Sequence, residues 1–234
     1  MFTLIVIALT VGLLPGFAWL IFYLSEETHP EPGRMIALTF FAGIAFGFFA
    51  IVVEEAWTRA AQGAGIAALS LGSLAVLAAI EEVLKFAAAY FAVGKSSVIR
   101  KDPVDHMIYL IVAALGFTTL ENIGTIANLP LASSGLALAA AAFQMGSVRF
   151  VGATLLHTLT SAIVGYHWAK GVARGTVVRS VLWGLALATF LHAAFNSLIL
   201  DYGEIAYTAV FLLAVGFFVL NDFEKLRYPN GTTG

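Results

Sequence analysis

The sequence contains no cysteine and few charged residues. Asp, Glu, Lys and Arg together make up 11% of its 234 residues. The absence of Cys excludes disulfides, thiolate metal sites and a cysteine nucleophile, so any metal would need imidazole and carboxylate ligands. The formal net charge is −2, and the scattered basic residues form no cluster suited to binding a nucleic acid. We therefore expect no nucleic-acid partner.

Apolar residues, in contrast, are abundant. They make up 60% of the sequence, and the mean hydropathy is +0.93, values typical of a polytopic protein that lies in the lipid bilayer. Crossing a bilayer takes about 20 helical residues. The sequence therefore predicts an all-α fold, a polytopic transmembrane helical bundle of about seven spans that forms a single integral-membrane domain over residues 1–234. The predicted spans are 2–24, 35–53, 66–93, 104–126, 150–169, 178–200 and 205–221.

An eighth apolar piece, at about 131–147, falls short of the membrane thickness at ~1.5 Å per helical residue. Short cytoplasmic loops carry an excess of Lys and Arg. If this piece does not cross, nine of the twelve basic residues share one side, whereas a crossing would abolish the bias. We therefore predict a short non-spanning helix here, an outside N-terminus and a cytoplasmic C-terminus. The nine are Arg34, Lys95, Arg100, Lys101, Lys170, Arg174, Arg179, Lys225 and Arg227.

The third predicted span contains three ionisable residues, Glu81, Glu82 and Lys85. A charge at the centre of a membrane helix costs about 2.5–3.5 kcal/mol even on lenient scales, so three neighbours call for a reason. At helical spacing, one Lys85 ammonium could serve both carboxylates. A buried ion pair that only joins helices is the structural alternative to a functional site.

Further polar residues lie in spans four to six. Glu121 is near the end of span four, His157 is in span five, and His192 and Asn196 are one turn apart on one face of span six. With the predicted orientation these four lie in the outer half of the bilayer, and Glu81 lies near mid-depth. A lone membrane His or Asn usually makes a helix–helix hydrogen bond. Five polar positions on four helices instead predict one shared cavity.

Carboxylates and imidazoles in a small wet cavity supply a general base for water, a general acid and donors for an oxyanion. The Gly-x-Ser-x-Gly and His-Glu-x-x-His motifs are absent, so hydrolysis by activated water is the natural fit. One alternative is an ion or proton transporter, although the sequence shows no internal repeat and no matching pair of broken helices. Another alternative is a non-catalytic membrane scaffold.

The polar residues fall in an ordered set of motifs. The motifs are Glu31-Pro32, Glu81-Glu82-x-x-Lys85, Asp102-Pro103-Val104-Asp105, Leu115-Gly116-Phe117-x-x-x-Glu121-Asn122, Arg149 before His157 and Gly165-Tyr166, and His192-x-x-x-Asn196. Their order and spacing closely resemble the PrsW family of intramembrane proteases. This family is similar to the CAAX prenyl proteases and to the Aph-1 subunit of gamma-secretase, a non-catalytic member of the same superfamily. The resemblance implies hydrolysis of a membrane-anchored single-span protein, such as an anti-sigma factor, in a prokaryotic cytoplasmic membrane.

Two departures from the CAAX pattern argue against prenylated substrates. The basic residue is Lys85, three positions after the Glu pair, and Glu121 stands where a His is usual. The resemblance and the chemistry together assign Glu81 as the base that activates water, with Glu82 and Lys85 tuning its charge. Glu121 and His157 would hold the water or pass its proton.

His192 and Asn196 would stabilise the oxyanion. The same region also allows zinc, with His157, His192, Glu81 and Glu121 as ligands. The two His come from different helices, no carboxylate near either in the sequence offers outer-shell support, and Asn196 is a poor ligand. We therefore favour hydrolysis without a metal cofactor, with zinc as the open alternative. The substrate's identity and the oligomeric state stay open.

Overall fold

The computed structural model describes residues 2–25, 31–96, 99, 102–130, 134–202 and 205–228. Within these ranges the regular structure is helical, which confirms the predicted all-α class. The helices are α1 (Phe2–Ser25), α2 (Gly33–Gly63), α3 (Leu71–Val93), α4 (Asp105–Ala127), α5 (Gly135–Arg149), a π-helical turn (Phe150–Thr154), α6 (Leu155–Arg174), α7 (Val177–Tyr202) and α8 (Ile205–Arg227).

Six helical segments in the described part are long and apolar enough to cross a membrane. They are α1, α2, α4, α7, α8 and the continuous stretch Gly135–Arg174. In hydrocarbon every backbone polar group must be bonded within its own segment, which is why apolar runs of this length become helices. Helix α3 has 23 residues, enough to cross, and differs from the others in carrying the three predicted intramembrane charges.

The end of α2 and the start of α3 differ from the predicted spans. Helix α2 continues ten residues beyond the apolar run, to Gly63, and its last turns carry an exposed i,i+4 pair in which Arg59 lies 2.7 Å from Glu55. Helix α3 begins later than expected, because the Ser70 hydroxyl caps it by accepting a hydrogen bond from the backbone N–H of Ser73. Hydropathy alone does not reveal either boundary.

The short helix predicted at about 131–147 exists as α5, but it is not a separate element. It continues without a break through the π-helical turn into α6, so Gly135–Arg174 is one helix of 40 residues. The stretch contains no proline to end it, and the π-helical turn accommodates the change of helical register. Residues 131–133, Arg100 and Lys101 lie outside the described residues.

Helix α4 is the centre of the bundle. It packs against α1, α2, α3 and α6, and its residues from Asp105 to Thr119 are all buried. Glycines bring α2 and α4 into backbone contact: a Cβ at Gly116 would collide with the carbonyl oxygen of Phe40, and one at Gly43 with that of Ala113. Small residues at such crossings are typical of helix packing in membranes.

The periphery of the bundle exposes many large apolar side chains. Phe2 is 80% exposed and Leu136 is 83% exposed, and further exposed apolar residues occur on α2, α3, α7 and α8. Soluble monomers rarely expose apolar surface on this scale. The surface therefore faces lipid, and the protein is an integral membrane protein.

Candidate active site

Glu82 is the hub of a buried polar cluster between α3, α6 and α7. Its Oε1 accepts hydrogen bonds from Lys85 Nζ at 2.6 Å, from Thr160 Oγ1 at 3.0 Å and from His192 Nδ1 at 2.8 Å. Glu82 and Lys85 form an ion pair, and both residues are almost fully buried. An ionised carboxylate can only accept, so Nδ1 of His192 carries a proton, and in the neutral ring Nε2 presents a lone pair.

Lys85 has a second partner that the sequence did not indicate. We expected its ammonium to pair with both neighbouring carboxylates, but it pairs with Glu82 and with the ring of His157, whose Nδ1 lies 2.9 Å from Nζ. An ammonium can only donate, so Nδ1 of His157 accepts and its Nε2 carries the proton. The two imidazoles are therefore held in opposite tautomers.

Glu81 lies where the two imidazoles meet. Its Oε2 is 3.8 Å from Nε2 of His157 and 3.8 Å from Nε2 of His192, and the two rings contact each other edge to face. This oxygen is buried and makes no hydrogen bond to the described part of the chain. An unpaired buried carboxylate oxygen beside one N–H and one nitrogen lone pair is suited to binding a water molecule.

Glu121 is a second carboxylate beside His157. Its Oε2 lies 3.4 Å from Nε2 of His157 and accepts a hydrogen bond from Arg149 Nη2 at 3.0 Å. Arg149 Nε also donates to Asn122 Oδ1, and Asn122 in turn donates to Thr154 Oγ1 at 3.2 Å. Asn122 therefore joins α4 to the segment Arg149–Thr154.

The structure brings together six of the seven predicted site residues and leaves one apart. Asn196 lies one turn after His192 on α7, is half-buried, and makes no hydrogen bond within the described part of the chain. Sequence reasoning missed Arg149 and Thr160 as partners of the cluster. The signal available for Arg149 was a charged residue in a long apolar helix.

The donor set also fits a metal ion. Glu81 Oε2 and the Nε2 atoms of His157 and His192 lie within 4.8 Å of one another, and zinc commonly takes three His or carboxylate ligands with an open position. The Glu82 carboxylate on Nδ1 of His192 is the outer-shell partner that a ligating His needs. His157 fits less well. A metal bound to its Nε2 would require the ring proton to be on Nδ1, and the Lys85 ammonium, which donates to Nδ1, would then have to move away.

Comparison with known proteins identifies the family to which this chain belongs. Residues 31–221 match the family described as "PrsW family intramembrane metalloprotease". The chain is 29% identical to "Protease PrsW" of Geobacillus kaustophilus strain HTA426 over 232 residues, covering 97% of this chain and 93% of that protein. It is 26% identical to "Protease PrsW" of Bacillus subtilis strain 168 over 227 residues, covering 95% and 96%. No solved structure matches it. The chain belongs to the PrsW family, and it is an integral membrane peptidase.

Proposed function

We propose that this protein hydrolyses a peptide bond in or beside the membrane span of a single-span, membrane-anchored protein, using a water molecule activated by Glu81. The observation that carries the proposal is the buried, unpaired Glu81 Oε2 at 3.8 Å from both imidazoles. Membership in a protease family favours hydrolysis over the transporter and the scaffold. An anti-sigma-factor-like substrate in a prokaryotic cytoplasmic membrane is what the family resemblance implies.

Because the two imidazole rings carry their protons on different nitrogens, His157 and His192 have different roles in the proposed reaction. A water molecule between Glu81 and His192 donates one proton to the Glu81 carboxylate while its oxygen attacks the scissile carbonyl carbon. His157, whose Nε2 carries a proton, donates a hydrogen bond to the oxyanion that develops on the carbonyl oxygen. When the C–N bond breaks, Glu81 returns its proton to the amine nitrogen, so the products are a carboxyl terminus and an amine.

Three residues keep this arrangement in place. Lys85 and Glu82 hold the two rings in opposite tautomers, because the ammonium donates to His157 and the carboxylate accepts from His192. Glu121 lies 3.4 Å from the same His157 Nε2 and is fixed by Arg149. In this proposal His157 takes over the oxyanion role that we expected for His192 and Asn196 from the sequence.

A zinc-dependent version is the second candidate, and the three ligand atoms within 4.8 Å of one another favour it. Glu81, His157 and His192 would hold the ion. When bound, zinc supplies Lewis-acid polarisation of the scissile carbonyl. Glu121 would then be the carboxylate left free of the ligand set, 3.4 Å from His157 Nε2, to take up and return the proton.

The test of the proposed function is cleavage of a tagged single-span reporter by purified protein in liposomes, with the products identified by mass spectrometry. Glu81→Gln keeps the size of the side chain but removes the base, and we expect cleavage to fall by about 10²–10⁴-fold. Glu55→Gln, an exposed Glu on α2, is the matched control and should cleave as the wild type does. Full activity of Glu81→Gln would refute the proposal.

A further inference from the structure

The π-helical turn is fastened to α4 at both ends, by contacts with Glu121 and Asn122 before the turn and with Asn122 at its end. Arg149, just before the turn, donates to Glu121 and to Asn122, and Thr154, at its end, accepts from Asn122. Asn122 and Thr154 are fully buried. Single π-helical turns inside α-helices are frequently found at functional sites. Here the turn is tied directly to Glu121, a residue of the candidate active site.

A cavity of about 310 Å³ lies between this turn, α7 and α8. Apart from Arg149 and Thr208, every residue that lines it is apolar, including Phe195, Ala209 and Leu212. Gly152 of the turn leaves space in the wall of this cavity. A Cβ added there would lie 3.8 Å from Phe195 Cζ, an ordinary contact distance. The cavity is therefore an apolar recess with one guanidinium on its wall.

A protease that cuts within the membrane has to solve a problem of backbone hydrogen bonding. A substrate span is helical, and cutting it requires a few residues to unwind, which frees their carbonyl groups where no water is available. The guanidinium of Arg149 uses Nε and Nη2 for Asn122 and Glu121 and carries further N–H groups on Nη1. Its side chain is 18% exposed, and it borders the cavity.

We propose that the cavity is the subsite for a large apolar side chain next to the scissile bond, and that Arg149 binds the backbone carbonyl of that same substrate residue. The inference rests on the proposed function and extends it to substrate selection. Arg149 joins the two parts of the site, because it lines the cavity and donates to Glu121, which lies 3.4 Å from His157. The cavity then selects by size, whereas Arg149 acts on every substrate alike.

The experiment uses full-length protein in liposomes and a set of single-span reporters. The cut is first located by mass spectrometry, and each of the two residues flanking it is then varied as Ala, Leu or Phe. We expect the wild type to prefer Leu or Phe to Ala at one flanking position by at least about tenfold, the discrimination that an apolar pocket gives. Ala209→Phe fills the cavity and should lower this preference by about tenfold or more.

The matched control is Ala18→Phe, which places the same side chain in the apolar recess between α1 and α5, on the other side of the turn. It should leave the preference unchanged. Leu212→Ala, which enlarges the cavity, should shift the preference towards Phe, and it gives an independent result if Ala209→Phe fails to fold. Arg149→Gln should slow cleavage of all reporters by a similar factor.

The outcomes separate this inference from the proposed function. If the wild type cleaves the reporters but Ala209→Phe and Leu212→Ala leave the preference as it was, the cavity is not the subsite. The same conclusion follows if Ala18→Phe changes the preference as much as Ala209→Phe does. If Arg149→Gln changes the preference instead of the overall rate, the carbonyl contact is wrong. If the wild type cleaves no reporter, the proposed function itself is contradicted.

Discussion

The Nδ1 atom of His192 lies 2.8 Å from Oε1 of Glu82, although 110 residues separate them along the chain. This contact ties α7 to α3 at the level of the candidate active site. It also decides what the imidazole can do, because a neutral ring that donates from Nδ1 presents a lone pair at Nε2. In the proposed function Glu82 is therefore a positioning residue, which holds the His192 ring beside Glu81.

The same carboxylate predicts a large effect on stability. Glu82→Gln keeps the size of the side chain but leaves the buried Lys85 ammonium without its anion, which costs about 3–5 kcal/mol. We expect a clearly lower unfolding temperature in detergent, and recovery of much of the loss when Lys85→Met is added. The exposed pair of Lys225 with Asp222 is the control: Asp222→Asn should cost less than about 1 kcal/mol. Equal effects at the two sites would contradict the prediction.

A second prediction concerns the crossing of α2 and α4. Gly116→Ala places a methyl group against the backbone of Phe40, which cannot move away as a flexible side chain could. Overpacking of this kind costs about 1–3 kcal/mol or more, because the helices must separate. Gly124→Ala on the same helix has open space around it and serves as the control. Thermal unfolding of both variants in detergent tests the prediction, and equal stability would contradict it.

Much of the fold could be predicted from the sequence, because membrane spans are determined mainly by local composition. A run of about 20 apolar residues has few alternatives to a helix in lipid. The link from α5 to α6 could not be predicted in this way. Nothing in the hydropathy of residues 146–154 separates a loop from a π-helical turn, since both can contain Gly146 and Gly152.

Part of the candidate site could also be predicted from composition. Intramembrane ionisable residues are rare and costly, so Glu81, Glu121, His157 and His192 stood out and the structure brings them together. Their pairing depends on how the helices are rotated, which residue spacing does not report. The bond from Lys85 to His157 follows from that rotation, as does the absence of a hydrogen bond from Asn196 within the described part of the chain.

The third prediction is topological. At ~1.5 Å per residue the 40-residue helix Gly135–Arg174 is longer than the membrane is thick, and a continuous helix crosses only once. Its two ends should therefore face opposite sides. Because the chain has no Cys, single cysteines can be introduced at Ser134 and Thr176 without background. A membrane-impermeant maleimide added outside should label Ser134→Cys at once and Thr176→Cys only after permeabilisation. Labelling of both from one side would contradict this topology.

The fourth prediction separates the two versions of the proposed chemistry. If Glu81 acts as the base without a metal, cleavage should survive exhaustive chelation, and Glu81→Gln should be inactive with the same metal content as the wild type. The Lys85 ammonium on Nδ1 of His157 supports this version, because it places a proton on the Nε2 atom that a metal would need.

In the zinc-dependent version the same variants behave differently. Glu81→Gln and His192→Ala would lose bound zinc, and Glu82→Gln, which removes the outer-shell carboxylate from His192, would weaken zinc binding by about 10–100-fold. Glu121→Gln would keep the zinc and lose activity. Metal analysis of the purified wild type and these four variants, combined with cleavage assays before and after chelation, distinguishes the versions. Stoichiometric zinc, with activity lost on chelation and restored only by zinc, would overturn the metal-independent proposal and make Glu81 a ligand instead of the base.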